Sequence, residues 1–468
     1  MGGWKPVKLD AGIYENVSEI ALKGQLAALE NAYVNEAGAH TRFPGLSLFQ
    51  TIPGGGRVFL TEWRGDLVAG TTGGMLSRLN QSGGITDVTG FPIAGGGRIV
   101  FDRTPDELVM AAGAEIVRLG SEKTDRLSAE APPSTHVAYV DGYTLAIEPG
   151  SGRFWYSDPG LPRVWNDLSV FTADTQPDPL TAMLVTTQRE IVLAGTNSVE
   201  IWSTYPSGAQ PFIRRRSVAD GLFAPYTLVS DKDGVWGVAG GESKPIEFMR
   251  FAGGGGKTES RPVQNLLDGI DDWTDAYAVI VNMLGQSWIV LQMPKATNLY
   301  GTEGVSLLYD RVTRRWASLY GWDDQRKLPA RWPGWSYASV WKRHFVGGEN
   351  GKIYELKPTT FANDGMTQRM MGRTEHLRYP AGGTIDRVRI ELRRGETDPN
   401  SPEPTMSLRC NKDNRGFGRA VRKGLGLYGQ REFYLDFGNM GHARSFQFEY
   451  EITDACPVEI TRLLVHEA

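Results

Sequence analysis

From Gly54 onward, apolar and polar residues alternate with a period of two in short runs, each closed by a cluster of Gly, Asp or Asn. Period two places successive side chains on opposite faces of a strand, so each run predicts a strand with one apolar face. The turns carry residues suited to tight reversal. Arg64-Gly65-Asp66, Asp141-Gly142, Gly195-Thr196-Asn197 and Glu349-Asn350-Gly351 stand between alternating Val, Leu, Ile, Trp and Tyr, and Gly or Asn accepts the positive φ of a two-residue hairpin.

The hairpins recur as a unit. GGGRVFLTEWRGDLVAGTTGGMLSRL, from Gly54, is followed by GGGRIVFDRTPDELVMAAGAEIVRL, from Gly95, with the glycines, Arg57 and Arg98, and the apolar alternation in register. Looser versions start near His136, Thr181, Thr227, Tyr277 and Tyr337, each reading as three strands. A period of roughly 40 to 60 residues is that of propeller blades. Hairpins with one apolar face are marginal in water until they stack, and radial stacking also protects their edges. The fold expected is all-β: a β-propeller of six or seven blades over 51–363.

Three segments depart from this rhythm. The stretch Glu19 to Asn31 has Ile20, Leu22, Leu26 and Leu29 at uneven spacing, interrupted by Gly24, so residues 1–50 are expected as an extended N-terminal arm. Arg261 to Asp275 begins with Pro262 and continues through Leu266, Leu267 and Ile270, which predicts a short surface helix opened by proline. After Asn363 the strands lengthen (GTIDRVRIELRRG, TMSLRCNKD, REFYLDFG, RSFQFEYEI, VEITRLLVHEA), so 364–468 is expected as a C-terminal β-sandwich.

Composition adds limits. The chain has 468 residues, with 40% hydrophobic and 22% charged side chains, enough apolar surface for a sizeable core. Its 57 glycines exceed the usual share of about 7% and match frequent turns. A net charge of −4 supplies no global attraction to nucleic acid or anionic membrane, so any basic surface is local. Met1 to Asp10 lacks a signal-peptide pattern, and no apolar run has the length of a membrane helix, so a soluble intracellular chain is expected. In that compartment Cys410 and Cys456 are expected as reduced thiols.

Motifs for catalysis are missing where they would be sought. His40, His136, His344, His376, His442 and His466 are scattered, with no C-x-x-C, H-E-x-x-H or G-x-S-x-G. Lys257-Thr258 follows Gly256, but Phe251 stands where a P-loop needs glycine. Asp158, Asp167, Glu247 and Asp310 are the carboxylates a sugar-cleaving propeller would draw on, yet nothing pairs them, and Asp158 and Asp310 read as turn acceptors. The reading is a protein that is not an enzyme and needs neither metal nor cofactor. Trp155, Trp165, Trp202, Trp236, Trp288, Trp316 and Trp341 fall at repeat positions where a large ring fills the space between sheets. Two basic clusters are candidates for DNA or subunit contact: Arg214, Arg215 and Arg216, and Lys412, Arg415, Arg419, Arg422 and Lys423 in a glycine-rich loop. A solvated strand face is the plain alternative for both.

The order of several segments is similar to that of a known family. NAYVNEAGAHTRFPGLSLF (31–49, with Arg42, Pro44 and Gly45), DPLTAMLVTTQREIVLAGTNSVEIWS (178–203), RPVQNLLDGIDDWTDAYAVIVNMLGQSWIVLQMP (261–294) and VSLLYDRVTRRWASLYG (305–321) run as in the tail nozzle, or tail hub, proteins of short-tailed bacteriophages, also called packaged-DNA stabilisation proteins. The resemblance implies a structural virion protein of the tail, assembled in the host cytoplasm as a hexameric ring below the portal and its adaptor. That ring extends the DNA channel, retains packaged DNA and supports ejection. The partners implied are further copies, the portal-adaptor (head-to-tail connector) protein, tail fibre, spike or needle proteins, and double-stranded DNA passing non-specifically through the lumen, with no membrane insertion and no reaction. The competing classes are a glycan-binding or glycan-cleaving tail propeller and a cellular scaffold propeller.

Overall fold

Arg64 and Gly65 both take positive φ, 50° and 80°, and turn strand Val58–Trp63 back onto Asp66–Thr71 in full antiparallel register. Asp141 and Gly142 (49° and 96°) and Asn350 and Gly351 (56° and 74°) repeat this geometry, the two-residue reversal whose twist matches that of the strands. The reversal at Gly195-Thr196-Asn197 is built differently, without positive φ. There Asp178 reaches in from the preceding loop and accepts the backbone N–H of Asn197 and Ser198 at 2.6 and 3.1 Å.

The computed structural model describes residues 3–9, 28–93, 95–173, 175–176, 178–205, 210–241, 244–252, 255–395, 403–426 and 431–468. The part of the Glu19 to Asn31 stretch before Ala28 lies outside the described residues, as do Gly253 and Gly254. Among the described residues, seven four-stranded meanders follow one another: 58–90, 99–126, 137–172, 180–218, 229–258, 277–318, and 336–357 completed by Gly45–Thr51. From the second blade on, the first strands of successive meanders pack side by side, Ser336–Val340 of the seventh packs back against Val58–Trp63 of the first, and blades one and two join through Ile85–Gly90 and Lys123–Arg126. Ser336 Oγ closes that ring, donating to the Val58 carbonyl at 2.7 Å and accepting the Leu60 N–H at 3.1 Å. These are the blades of a β-propeller, with strand-to-strand register kept by fully buried residues such as Leu108, Leu145, Leu193 and Leu307.

Each blade has one strand more than the three read from sequence. Several fourth strands, Ile85–Gly90 and Lys123–Arg126 among them, are mostly exposed, whereas that of blade six, Arg315–Ser318, is mostly buried. A strand at the rim faces water on much of its surface, so it carries little apolar alternation to read. In the seventh blade the outermost strand comes from the other end of the propeller sequence: Gly45–Thr51 lies antiparallel to Lys352–Lys357.

The insertion at Arg261 is a single 3-10 turn, Arg261–Val263, followed by the short helix Gln264–Asp268. It ends sooner than the apolar spacing suggested, since only Val263 and Leu267 are buried. Of the tryptophans at repeat positions, Trp165, Trp202, Trp236, Trp288 and Trp316 are buried and Trp155 and Trp341 half-buried.

The C-terminal strands curl over one core. Glu432–Ile452 is 21 residues long. It pairs with Leu377–Arg394 through its first part and with Met370–Arg373 and Thr405–Lys412 through its second, so one strand serves both walls around Val388, Ile390, Phe437, Phe446, Phe448 and Tyr450. Trp4–Val7 lines up against Val458–Glu467. Ala28–Glu30 runs parallel to the sixth blade at Ser318 and antiparallel to Met370–Arg373. Blade six and the C-terminal strands are thereby members of one sheet. At the seam, Glu30 is buried and pairs with Arg369 and the Tyr300 hydroxyl. Asn31 adds two bonds, donating to the Arg369 carbonyl and accepting the Tyr320 N–H, both at 2.8 Å.

Candidate functional site

The two basic clusters have unlike surroundings. Arg214, Arg215 and Arg216 lie on Phe212–Val218, the outer strand of blade four. Each has an acceptor: Arg214 Nη1 is 3.7 Å from Glu200, Arg215 Nε donates to Ser203 Oγ at 2.7 Å, and Arg216 Nη2 to Glu190 at 3.2 Å. The run is largely neutralised by its own blade. Lys412, Arg415, Arg419, Arg422 and Lys423 sit instead on a C-terminal hairpin, Thr405–Lys412 with Val421–Gly424, and all five are exposed. The two clusters stand on separate sheets without strand pairing between them.

A third group gathers on the propeller axis. Arg57, Arg98, His136 and Trp335 each stand one residue before the innermost strand of a blade, and Tyr277 opens the innermost strand of blade six. Arg98, from blade two, lies 4.2 Å from the Tyr277 ring and 5.0 Å from Phe59, and donates through Nη2 to the Trp335 carbonyl of blade seven at 3.0 Å. Arg57 stacks over Trp335 at 4.1 Å and pairs with Asp275 at 3.0 Å. His136 stacks on Tyr226 at 5.3 Å, and Tyr277 on Trp335 at 5.4 Å. Side chains from opposite parts of the ring thus meet across the axis. Burial pushes Arg98 down to about 10, which leaves it a cation at neutral pH, and burial together with Arg98 pushes His136 down to about 4, which leaves it neutral.

Sequence reasoning singled out Arg57 and Arg98 as matched repeat positions but not their meeting. The signal available was position: the residue before each blade's first strand points to the centre once the blades are arranged radially.

The carboxylates proposed for sugar chemistry do not converge. Asp310 accepts the Val312 and Thr313 N–H groups at 2.8 and 3.2 Å, as a turn acceptor does, and Glu247 takes the Thr258 hydroxyl at 2.9 Å. In the surface groove between Tyr33, Leu284, Phe361 and Pro457, Arg393 pairs with Glu432 at 2.9 Å and with Glu459 at 3.7 Å, while Arg42 and Arg394 donate to backbone carbonyls. Among the described residues no three His, Cys, Asp or Glu side chains cluster as metal ligands, and no helix is long and apolar enough to cross a membrane. Cys410 and Cys456 are free thiols; burial raises both, Cys410 to about 11, so neither is a ready nucleophile.

A family model described as "Bacteriophage P22 Gp10, beta-propeller" matches residues 24–361. No curated protein matches. Among solved structures, the extracellular domain of the hybrid two-component system BT4673 from B. thetaiotaomicron is similar at 12% identity and a TM-score of 0.44, over 73% of this chain and 43% of that one. The WD40 β-propeller domain of Doa1 is similar at 11% identity and a TM-score of 0.40, over 68% of this chain and 98% of that one. The computationally designed Ika8 protein follows at 10% identity and 0.37, over 67% and 99%.

Proposed function

The chain belongs to the phage stabilisation family described as bacteriophage P22 Gp10, beta-propeller, and from that premise we propose that it is a structural, non-enzymatic protein of the virion tail. Several copies, about six, form a ring-shaped nozzle below the portal and adaptor. The ring extends the DNA channel, retains the packaged genome and supports its ejection. Within each copy the arm of residues 1–50, whose end Gly45–Thr51 is the outer strand of blade seven, the propeller of 51–363 and the sandwich of 364–468 act as one wedge of that ring.

The observation that carries this reading is the filled axis. Arg98, Tyr277 and Trp335 meet across the centre of the propeller, so a duplex has no path through a single copy, and a DNA channel in this protein is a space between copies. A cyclic contact whose rotation closes makes such a space. The continuous sheet from blade six into the C-terminal strands suits a ring that must hold its shape around DNA under pressure.

The test is the mass of the purified chain in solution, alone and mixed with portal and adaptor rings from the same genome. Assembly to about six copies, or recruitment to the portal-adaptor complex, is expected. A persistent monomer that ignores that complex and binds a host glycan instead would overturn the proposal in favour of a glycan-binding propeller.

A further inference from the structure

We propose that the hairpin of Thr405–Lys412 and Val421–Gly424, with the turn between them, is the arm through which this protein touches the phosphates of double-stranded DNA. The proposal rests on the reading that the protein surrounds the packaged genome, and adds which surface faces it.

The first support is uncompensated charge. Lys412, Arg415, Arg419, Arg422 and Lys423 are exposed, and among the described residues no carboxylate stands within ion-pair distance of any of them, in contrast to Arg214 and Arg216 with Glu200 and Glu190. The one acid inside the turn is already engaged: Asp413 Oδ1 accepts the Arg444 and Ser445 N–H groups at 2.8 and 3.0 Å and is turned towards the neighbouring strand. Glu403 lies at the root of the hairpin against Gly424, away from the tip.

The second support is preorganisation. Phe417 is held between two guanidinium groups, Arg373 at 5.1 Å and Arg409 at 6.0 Å. The Gly418 N–H donates to the Cys410 carbonyl at 3.0 Å, the Arg415 N–H to the Lys412 carbonyl at 3.1 Å, and the Gly416 N–H to Asn411 Oδ1 at 3.1 Å. A turn this well bonded presents its cations in a fixed array, so less conformational entropy is lost on contact. With its one aromatic ring, Phe417, packed against Arg373 and Arg409, the turn presents mainly positive charge, which suits the backbone of a duplex, read without regard to sequence, as DNA sliding through a channel requires. An acidic face of a second copy is the other partner this charge would suit, and the experiment separates the two.

The experiment measures binding of a labelled duplex of about 25 base pairs to the full-length protein across a salt series, with recruitment to the portal-adaptor complex measured on the same samples. Each lost phosphate contact removes about 0.9 from the slope of log affinity against log salt. The triple variant Arg419→Ala/Arg422→Ala/Lys423→Ala is therefore expected to lose between about two and three units of slope and at least tenfold in affinity at low salt. Arg419→Lys/Arg422→Lys keeps the slope, because the contact needs charge rather than shape, and it also controls for folding. Arg214→Ala/Arg215→Ala leaves the slope unchanged. The proposal is overturned if the parent protein shows no salt-dependent duplex binding, if the triple variant binds like the parent, if the loss follows Arg214 and Arg215 instead, or if the triple variant loses assembly while its DNA binding stands. Duplex binding through the hairpin without recruitment to the portal-adaptor complex would sink the nozzle reading and leave this one intact.

Discussion

Arg98 and His136 sit close together on the axis and answer burial in opposite ways. Arg98 keeps its charge, repaid by the faces of Tyr277 and Phe59 and by the Trp335 carbonyl; His136 gives its charge up, because burial disfavours the imidazolium and the Arg98 cation beside it adds to that. The unfolded imidazole titrates near 6.5 and the folded one at about 4, so unfolding takes up a proton in that window. The contribution of His136 is full above the unfolded value and is lost as pH falls through it towards 4, up to about 3 kcal/mol. Asp102 works the other way. Burial raises it to about 6 although it accepts the Tyr139 N–H at 2.7 Å, so its share of stability is lost as pH rises from the unfolded value to 6. The two slopes largely cancel between pH 4 and 6. Removing one exposes the other: His136→Phe, which keeps the stack on Tyr226, is expected to gain about 2 kcal/mol on the parent between pH 7 and pH 5. Urea midpoints of both proteins at the two pH values check this, and a gap that stays constant would rule it out.

At the scale of elements, ring closure depends on a strand of seven residues, Gly45–Thr51. A propeller whose last blade lacked its outer strand would leave Lys352–Lys357 as an open edge, and recruiting the strand from the opposite end of the repeat region ties first to last. Gly45 is required at its start. A Cβ there would lie 2.4 Å from the Ala362 carbonyl oxygen and 2.7 Å from that of Thr360, which also accepts the Gly45 N–H at 2.6 Å. Because both obstacles are backbone, Gly45→Ala must displace the strand. We expect a loss of about 1 to 3 kcal/mol, with faster amide exchange confined first to 45–51 and 352–357. Gly255→Ala, where φ is not positive and nothing lies within 4 Å of the new carbon, is expected to leave exchange in that region as it was.

At the scale of the molecule, the propeller and the C-terminal strands are joined by a buried polar seam rather than by apolar packing alone. Burial raises the Glu30 carboxyl in spite of Arg369, and the neighbouring carboxylates Glu30 and Glu451 hold Arg369 upward in spite of its own burial. Removing one member strands the other: Glu30→Gln or Arg369→Met alone should cost about 3 to 5 kcal/mol, while the double variant should recover much of it, because no uncompensated charge remains. A double-mutant cycle by chemical unfolding measures the coupling, and additive losses would show that the two groups act independently.

Period two, the Gly-Asn-Asp turns and the recurrence from Gly54 were local properties of the chain. They determined the all-β fold, the repeated blades and the hairpin at Asn350-Gly351, since alternation and positive φ are settled by residues a few positions apart. The matched Arg57 and Arg98 were equally visible. The outer strand of the seventh blade and the meeting of Arg98 with Trp335 were not, because their partners lie hundreds of residues away and only radial closure brings them together. The basic runs read alike in sequence; tertiary structure separated them, by placing Glu200 and Glu190 beside Arg214 and Arg216 and turning Asp413 away from the tip of the C-terminal hairpin. Charge in a sequence counts residues, whereas charge on a surface depends on which carboxylates the fold brings within about 4 Å.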